Sequence, residues 1–513
     1  MYFIEYLYSF IEYFFIIYFL VFNTINLFFL TIAFSDVRRR VISRGYEGFD
    51  IAMSSPFTPP LSILVPAYNE DKTIVESIKS LIKLKFPRLE IVIINDGSSD
   101  ATLEVLKKAF KMRRTDIDYI ERISTARVRA CFSSHADLPE HISRFIVIDK
   151  KNGGKADALN AGINASFCPY FVSIDADSII DEAALLQAFR AILDHQDIVA
   201  IGGQVAVVNS SHVEDGKVIE PRLSKKWIVR FQIVEYIRSF TMGRTALSRL
   251  KSILIISGVF GIFNKELVMK TGGYLTKFID SKVAFEYAGE KVETVCEDME
   301  IIVRMQRYIK EKGLNKRIAY VPHPLAWTEA PEDYDSLSKQ RNRWHRGLIE
   351  TMTYHRKMLF NKNYGRVGLF AFPYFFLFEL CGAPVEFLGY LTLPLLFYLD
   401  NLNMTYLYLF TVVSIVYGIF LSVLSVVMSA WPEKTSETDT TGKSLIYYNG
   451  IKEIVILVIA AIFENLGYRQ MTVWWRIKAS LDFIKGKKGW EKFERKGFDA
   501  GGKQSAGSDA KVL

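Results

Sequence analysis

The stretch PYFVSIDADS, residues 169–178, joins a short apolar run to two aspartates, Asp175 and Asp177. Three other stretches share this design, an apolar β-branched run that ends in polar residues: LSILVPAYNE (61–70), LEIVIINDGSSD (89–100) and RFIVIDK (144–150). Helical patterns of apolar residues follow the first two of these. Strands that alternate with helices predict an α/β fold, a mostly parallel sheet flanked by helices. Ligands of such sheets bind beyond the carboxyl ends of the strands, where these acidic residues fall.

Asp175 and Asp177 are the first candidate site. Two carboxylates separated by one residue at a strand end can both turn toward a divalent ion. The two carboxylates would fill only part of the coordination shell of Mg²⁺ or Mn²⁺. The oxygens of a bound diphosphate can then be further ligands of the same ion. A solvated loop is the alternative, since such a pair is common. A dinucleotide-binding domain and a P-loop are not supported, because the sequence has neither GxGxxG after the first strand nor GxxxxGK[ST].

Long apolar runs lie on both sides of this region. Between Glu12 and Asp36 there are 23 consecutive uncharged residues, enough for a helix to cross a hydrocarbon core of about 30 Å. Further apolar regions cover residues 367–399, 401–431 and 454–475. This order predicts four parts: a transmembrane helix (1–36), a cytosolic α/β domain with interfacial helices (37–365), a transmembrane or interfacial bundle (366–477) and a basic cytosolic tail with a disordered end (478–513).

Positive charges predict the orientation. Arg38, Arg39 and Arg40 follow the first apolar run, which places that end and the domain in the cytoplasm. The lysine-rich tail also favours the cytoplasm, although one span before the domain and three after it would leave it outside. We therefore expect either 367–399 or the last apolar segment to be interfacial or re-entrant. The predicted location is the inner or plasma membrane, with several passes.

Composition narrows the partners. The 513 residues are 50% hydrophobic and 23% charged, with a net charge of +8. The basic excess clusters where hydrophobic runs end, so it indicates membrane orientation and not a nucleic-acid partner. A helix mixing aromatic and basic residues at 225–250 predicts contact with membrane lipid, with a core helix as the alternative. The cysteines lie too far apart for a disulfide framework or a thiolate zinc site: Cys131, Cys168, Cys296 and Cys381.

The chain resembles the membrane-integrated processive branch of glycosyltransferase family 2, which includes cellulose, chitin, hyaluronan and poly-N-acetylglucosamine synthases. The resemblance rests on seven motifs in order: VPAYNE (65–70), INDGSSD (94–100), GGKADALNAG (153–162), DAD (175–177), ISGVFGIF (256–263), CED (296–298) and QRNRW (340–344). It implies a GT-A fold, a UDP-sugar donor, a divalent metal, and a growing polysaccharide acceptor that is exported through the adjoining helices.

The resemblance implies donor-binding roles for the first motifs. Asp96 resembles the carboxylate that pairs with the uracil or ribose, with Tyr68 and Glu70 near the base pocket. Lys155, in a glycine-flanked loop, resembles the lysine that contacts the diphosphate. The alternatives are a turn-forming Asp96 before a glycine and a plain surface lysine.

The acidic motifs resemble the reaction centre. Asp175 resembles a donor-contacting carboxylate and Asp177 the metal ligand. Asp298, in the pair with Glu297, resembles the general base that deprotonates the acceptor hydroxyl, because an inverting transfer needs a carboxylate opposite the leaving UDP. A carboxylate that only caps a helix is the alternative. The family usually has threonine where this chain has Cys296, a change that keeps the base and removes a hydroxyl.

The last motif predicts a contact with both substrates. Gln340, Arg343 and Trp344 resemble QxxRW, with spacing that puts them on one side of a helix. The arginine can offset charge on departing UDP, and the tryptophan offers a flat apolar face to the acceptor sugar. As an alternative, the tryptophan is an interfacial anchor and the arginine a headgroup contact.

These observations predict an inverting, membrane-bound enzyme that polymerises UDP-glucose or UDP-N-acetylglucosamine into a β-linked polysaccharide and moves it across the membrane. A single-transfer glycosyltransferase acting on a lipid-linked acceptor is the alternative. A catalytically silent scaffold or transporter would have no reason to keep the acidic and basic motif residues together: Asp96, Asp175, Asp177, Asp298 and Arg343.

Overall fold

The computed structural model describes residues 2–43, 53, 55, 57–116, 119–214, 216–289, 293–430, 448 and 450–487. The disordered end predicted for the tail lies outside the described residues, as does the tail beyond residue 487.

Twelve strands are present in the described part of the chain. Their bounds are β1 (Leu61–Ala67), β2 (Leu89–Asn95), β3 (Met112–Arg114), β4 (Val128–Ser134), β5 (Ile142–Lys150), β6 (Tyr170–Ile174), β7 (Ile179–Ile180), β8 (Ile198–Val207), β9 (His212–Glu214), β10 (Lys217–Glu220), β11 (Phe260–Asn264) and β12 (Arg317–Thr328). Ten of them form one sheet in the order β3-β4-β5-β2-β1-β6-β11-β8-β12-β7.

The centre of this sheet is parallel, as the sequence predicts. β1 pairs in parallel with β2 and β6, and β2 pairs in parallel with β5. These strands are almost wholly buried, as expected for apolar runs covered by helices on both faces. The sheet as a whole is mixed, because β11 inserts antiparallel between β6 and β8. The βαβ rule fixes crossovers between parallel strands only, so it does not apply to this antiparallel strand.

Three helices of the domain matter for the site. The linking helix consists of Trp227–Tyr236, a π-helical segment Ile237–Arg244 and Thr245–Arg249. The acidic helix is Glu297–Glu311, and the QRNRW helix is Tyr334–Tyr354. The other helices of the domain are Ile74–Ile82, Thr102–Ala109, Lys155–Ala165, Ala184–Asp194, Lys265–Lys270 and Lys282–Ala288, and short 3-10 turns follow at Arg356–Met358 and Lys362–Tyr364.

The apolar regions form helices before and after the domain. The first helix is Tyr2–Ser43. The later region consists of Val367–Ala371, Phe372–Tyr374, Phe375–Leu380, Gly382–Tyr398, Met404–Thr411, Val412–Val416, Tyr417–Ser429, Ile451–Phe463 and Tyr468–Ile484. Among the described residues, three helical stretches are long and apolar enough to cross a membrane: Tyr8–Asp36, Val367–Tyr398 and Met404–Ser429.

The last apolar segment is broken. The helix Ile451–Phe463 ends before Gly467, which has a φ of 90°, and Tyr468–Ile484 begins there. Thirteen residues rise only about 20 Å, less than the hydrocarbon core. If the three candidate spans cross the membrane, one before the domain and two after it, the domain and the residues up to 487 would be on the same side. The two predictions from positive charge are therefore consistent with each other.

Two carboxylates of the helical bundle form ion pairs with arginines of the same chain. Arg469 binds Glu386 with two hydrogen bonds, of 2.9 and 2.7 Å. Arg238 of the linking helix binds Glu464. These pairs favour the interior placement of the two glutamates over a position among lipid headgroups, because a desolvated carboxylate needs a cation beside it.

The linking helix joins the domain to the bundle. Arg249 at its end binds Asp36, which is buried at the end of the first apolar helix. Its apolar side chains Ile228, Val229 and Ile233 are buried against other helices. The core alternative is therefore supported by the packing of these side chains, and the contact with membrane lipid stays a prediction.

A buried charge cluster fixes the acidic helix. Arg304 and Glu300 are fully buried, and two 2.8 Å hydrogen bonds join them. Arg304 also donates to the carbonyl oxygens of Thr271 and Gly273, both at 2.6 Å. His355 lies 3.3 Å from the same glutamate. The cluster therefore ties the acidic helix to the turn before Tyr274.

Arg304→Met is expected to lower the free energy of unfolding by about 3–5 kcal/mol, because it leaves the Glu300 carboxylate buried without its main partner. The measurement is the midpoint of thermal unfolding in detergent. Lys310→Met, on the same helix, is the matched control and should change stability by less than about 0.5 kcal/mol. Equal midpoints for the two variants would contradict the account.

Candidate active site

Three elements bring their polar ends together around Lys155. This lysine begins the helix Lys155–Ala165, and its Nζ lies 2.6 Å from Asp175 Oδ1, just beyond β6. The same Nζ lies 3.1 Å from Glu297 Oε1 at the start of the acidic helix. Gly154, with a φ of 90°, allows the chain to turn into this helix. Lys155 is thus part of a charged cluster and is not a plain surface lysine.

Asp298 completes the cluster from the acidic helix. Its Oδ1 accepts a 2.8 Å hydrogen bond from the Met299 amide, and its Oδ2 accepts one of 3.1 Å from the Gly258 amide. Gly258 belongs to the ISGVFGIF motif, so this motif holds the carboxylate in place. The carboxylate does contact the helix N-terminus, but the Gly258 contact and the nearby lysine go beyond a capping role.

The charges of the cluster shift its ionisation. Burial and the neighbouring Glu297 carboxylate raise the pKa of Asp298, against a lowering effect of Lys155. Burial alone would lower the pKa of Lys155, but Asp175 and Glu297 raise it above its usual value. The lysine is therefore cationic, and Asp298 holds a proton more readily than an ordinary aspartate.

A small cavity lies at the cluster. Its volume is about 10 Å³, room for about one water molecule. Tyr274 forms part of the wall, and Asn160 holds it by two 2.8 Å hydrogen bonds to its backbone N–H and carbonyl. This volume is too small for a sugar, and the charged groups beside it are partly exposed to solvent.

Cys296 connects the acidic helix to the QRNRW helix. Its Sγ lies 3.9 Å from the Arg343 carbonyl oxygen, and a Cβ added to Gly347 would overlap it. Burial raises the pKa of the Cys296 thiol well above its usual value, so the side chain is a neutral packing group. The structure thus shows what replaces the threonine hydroxyl: a close contact between the two helices.

The residues of the QRNRW motif differ in their contacts and in their burial. The Arg341 guanidinium lies over the Trp344 ring, with 4.6 Å between Cζ and the ring centroid. Arg341 also binds Glu235 of the linking helix, at 2.5 Å. Gln340 is buried, and within the described residues its Oε1 accepts no hydrogen bond.

Asp96 belongs to a separate network at the end of β2. Its carboxylate accepts hydrogen bonds from Lys150 Nζ at 2.6 Å, from the Gly153 amide at 3.0 Å and from the Gly154 amide at 2.7 Å. Lys150 is wholly buried and also lies 2.5 Å from Asp157. Asp96 therefore anchors the glycine loop that leads to Lys155. A carboxylate committed to three protein donors has limited capacity for a nucleoside as well.

Tyr68 and Glu70 follow β1, next to this network. The Asp96 amide donates to the Ala67 carbonyl oxygen, at 2.9 Å, which places the ends of β1 and β2 side by side. Tyr68 is 42% exposed, and the Glu70 amide donates to Thr102 Oγ1 at 2.9 Å. An exposed aromatic side chain at a strand end is open to a ligand.

Asp177 lies two residues beyond Asp175 and is buried. Among the residues that the structure describes, no group of three or more His, Cys, Asp or Glu side chains is placed to hold a metal ion. The residues present fit only a partial shell of carboxylate oxygens, the kind that Mg²⁺ and Mn²⁺ complete with substrate phosphates.

Three residues that hold the site together are not predicted from the sequence. They are Lys150, Asn160 and Gly258, which respectively hold Asp96, the Tyr274 backbone and Asp298. All three lie within or next to quoted motifs. A charged residue that ends the buried run RFIVIDK was the available signal for Lys150.

The sequence model of the family described as Glycosyltransferase like family 2 matches residues 59–347, more than half of the chain. The chain belongs to this family. The match spans every motif from VPAYNE to QRNRW and all twelve strands. The mixed sheet with flanking helices, set between apolar helices, is the GT-A arrangement that the resemblance implies.

The family member is similar to curated synthases over part of their length. It is 26% identical over 292 residues to the poly-beta-1,6-N-acetyl-D-glucosamine synthase of Staphylococcus epidermidis, covering 57% of this chain and 55% of that protein. The match to the synthase of the same name from Staphylococcus aureus strain COL has the same identity and coverage. The chain thus spans about half the length of the curated relatives it matches.

Solved structures are similar at lower identity. A mannosyltransferase from Pyrobaculum calidifontis, in complex with GDP-Man and Mn²⁺, has 14% identity and a TM-score of 0.47, covering 92% of this chain and 100% of that one. Staphylococcus aureus TarS 1-349, in complex with UDP-GlcNAc, has 14% identity and a TM-score of 0.35, covering 83% and 92%.

Proposed function

We propose that this protein is an inverting, membrane-bound glycosyltransferase that polymerises a UDP-hexose into a β-linked polysaccharide and moves the product across the membrane. The observation that carries the proposal is the cluster in which Lys155 lies between Asp175 and Glu297, next to Asp298. It combines a cation suited to a diphosphate with a carboxylate suited to accept a proton.

Asp298 and Lys155 have different roles in the reaction. The acceptor hydroxyl oxygen forms a bond to the anomeric carbon of the donor, while the bond from that carbon to the UDP oxygen breaks. The hydroxyl proton passes to the Asp298 carboxylate, and the bonding electrons leave with UDP. Lys155 then neutralises charge on the diphosphate, which it reaches by leaving Asp175 or Glu297. Arg343 supplies further positive charge on the leaving-group side.

Asp298 must be deprotonated to act as the base, so its raised pKa sets the acidic limit of activity. As the pH falls through this pKa, turnover is lost at a higher pH than for an ordinary aspartate. Glu297→Gln removes a negative neighbour and is expected to move this acidic limit to lower pH. The measurement is the pH profile of UDP release. Glu293→Gln, an exposed change nearby, is the control, and an acidic limit unchanged by Glu297→Gln would contradict the assignment.

We include a divalent cation in the proposal. Asp177, with Asp175, would hold Mg²⁺ or Mn²⁺, and the ion would neutralise the charge of the donor diphosphate.

Asp177→Asn is expected to raise the metal concentration needed for half-maximal UDP-sugar binding by about tenfold or more, because one anionic ligand is lost. Asp181→Asn is the matched control, since this exposed carboxylate accepts a hydrogen bond from the Ala183 amide. Binding is followed by titrating metal at fixed UDP-sugar, without turnover. Identical metal titrations for the two variants would count against the ligand assignment.

The remaining roles extend from the donor to the membrane. Tyr68, Glu70 and Asp96 would border the nucleoside, with Asp96 acting mainly through the glycine loop. Trp344 would face the acceptor sugar, and Gln340 has an unused acceptor oxygen beside it in the motif. We propose UDP-N-acetylglucosamine before UDP-glucose as the donor, because the relatives of similar sequence are named poly-beta-1,6-N-acetyl-D-glucosamine synthases. We place the domain on the cytosolic side of the plasma membrane, in contact with membrane lipid.

The direct test is donor use. Purified protein in detergent is incubated with UDP-N-acetylglucosamine, UDP-glucose, UDP-galactose or GDP-mannose and with Mg²⁺ or Mn²⁺, and nucleotide release is measured. The expected result is UDP release that is highest with UDP-N-acetylglucosamine and is stopped by a chelator. Release from GDP-mannose alone, or from no donor, would refute the proposed donor class.

A further inference from the structure

Buried polar groups without partners surround the inner end of the linking helix. Within the described residues, Nε and Nη1 of Arg244 are buried and donate no hydrogen bond. The hydroxyl of Tyr320, on β12, is likewise buried and unpaired. A buried donor without an acceptor costs about 1–3 kcal/mol, and more when it is charged. Such groups are rare in folded proteins, so each one points to a missing partner.

The strand that carries Tyr320 contacts the helix that carries Arg244. The Tyr320 amide donates to Ser248 Oγ at 3.0 Å, which ties β12 to the linking helix one turn beyond Arg244. The charge of Arg244 lowers the pKa of Tyr320, against a larger raising effect of burial. Tyr320 pairs with Gly202 on β8, and a Cβ on Gly202 would overlap Ile256, two residues before the Gly258 amide that binds Asp298. Arg244 also lowers the pKa of Asp298.

An aromatic path joins this place to Trp344. The Arg244 guanidinium lies over the Phe240 ring, with 3.9 Å between Cζ and the centroid. Phe240 packs edge-to-face on Tyr236 at 5.5 Å. Arg341, which stacks on Trp344, acts electrostatically on Tyr236. Arg244 is therefore connected through Phe240 and Tyr236 to the helix that carries Trp344, the residue expected to face the acceptor sugar.

The segment that ends at Arg244 also contacts the apolar helices. Its π-helical segment packs against the first apolar helix and against Tyr417–Ser429, where Ser425 Oγ lies 3.6 Å from Met242 Sδ. Lys155, by contrast, lies at the ends of the strands that would bind the nucleotide. A ligand at Arg244 is therefore one that lies between Asp298 and the bundle.

We infer that Arg244 and Tyr320 form a binding site for the hydroxyl oxygens of the acceptor sugar, which they hold next to Asp298. This inference rests on the proposed function. A guanidinium donates in a fixed planar fork, and a phenol both donates and accepts, so the pair suits the vicinal oxygens of a neutral sugar. Phe240 beneath the guanidinium keeps it flat and in place.

The test separates acceptor from donor. Full-length protein in detergent receives UDP-N-acetylglucosamine and a β-1,6-linked N-acetylglucosamine tetrasaccharide, and KM is measured for each. Tyr320→Phe is expected to raise the tetrasaccharide KM about 3–10-fold and Arg244→Gln about 10–100-fold, the range for one neutral and one charged hydrogen bond. Arg244→Lys should lie between wild type and Arg244→Gln. The KM for UDP-N-acetylglucosamine should change less than about twofold, since no donor contact is lost.

Two matched controls guard against damage to the fold. Tyr448→Phe removes a hydroxyl that donates to the Val207 carbonyl oxygen at 2.7 Å. Arg317 lies on the same strand as Tyr320 and forms a 2.7 Å ion pair with Asp197, which Arg317→Gln removes. Both should lower the thermal midpoint and leave the tetrasaccharide KM unchanged. Tyr320→Phe should raise the tetrasaccharide KM and leave the thermal midpoint unchanged, because its hydroxyl has no hydrogen-bond partner among the described residues.

Each outcome decides the inference. A rise in the donor KM without a rise in the tetrasaccharide KM would show that the pair binds the nucleotide, and would overturn it. Unchanged kinetics in both variants would also overturn it. Tetrasaccharide binding is measured in parallel by calorimetry. If the wild-type protein binds the tetrasaccharide more tightly than Arg244→Gln but releases no UDP, the proposed function is refuted and the binding site is supported. If the two proteins bind the tetrasaccharide equally, the binding site is refuted.

Discussion

Asp298→Asn is expected to lower the rate of sugar transfer by about 10³-fold, within the range of 10²–10⁴ that a positioned general base contributes. Asparagine keeps the shape of the side chain, but its one oxygen can replace only one of the two acceptors, Oδ1 for the Met299 amide or Oδ2 for the Gly258 amide. It cannot take the acceptor proton. The dissociation constant for UDP-sugar should therefore stay within about twofold of the wild-type value.

The control for this change is Glu311→Gln, at the other end of the acidic helix, where the carboxylate pairs with Arg307. It should keep nearly full turnover, because it lies outside the cluster. Rates are measured as UDP release, and binding by calorimetry with a chelator and with metal. Asp298→Asn that retains turnover would remove this residue as the base, and a loss of donor binding would make its role structural.

Lys155→Gln is expected to weaken UDP-sugar binding by about 100-fold, because truncating one partner of a close charge cluster costs about 2–5 kcal/mol. The change also removes the cation from three neighbouring carboxylates, those of Asp175, Glu297 and Asp298. Their mutual repulsion then raises the pKa of Asp298 further, and the acidic limit of activity moves to higher pH. This direction is opposite to the one expected for Glu297→Gln.

Lys151→Gln is the matched control, since this exposed lysine lies in the same glycine loop. It should leave both donor binding and the pH profile unchanged. The decisive observation is the pair of pH profiles for Lys155→Gln and Glu297→Gln. Two variants whose acidic limits move in the same direction would show that the cluster does not govern the ionisation of the base.

The sequence predicts the parallel centre of the sheet well, because its strands are continuous buried runs with few polar interruptions. β1, β2, β5 and β6 lie where the apolar runs lie. The antiparallel position of β11 escapes prediction, since its partners on both sides depend on where the linking helix turns the chain. The break near Gly467 escaped as well, because the apolar composition continues across it while the backbone conformation does not.

The motifs name most of the charged cluster but do not give its pairings. Spacing places Lys155 near a phosphate site, yet it cannot show that one ammonium group serves both Asp175 and Glu297. Asp96 is a clearer case. Its motif suggests a ligand contact, whereas its nearest partners are Lys150 and the glycine amides, which come from a neighbouring strand and loop. Only the folded chain shows that Arg244 and Tyr320 carry buried polar atoms without partners among the described residues.

The central claim is that the protein makes a polymer, and product size tests it most directly. Purified protein is supplied with UDP-N-acetylglucosamine and Mg²⁺ or Mn²⁺, and the product is sized before and after digestion with a glycosidase specific for β-linked N-acetylglucosamine. The account predicts a long chain that the enzyme degrades to short sugars, and none with Asp298→Asn. A product extended by a single sugar, or one attached to lipid, would contradict polymerisation and support single transfer.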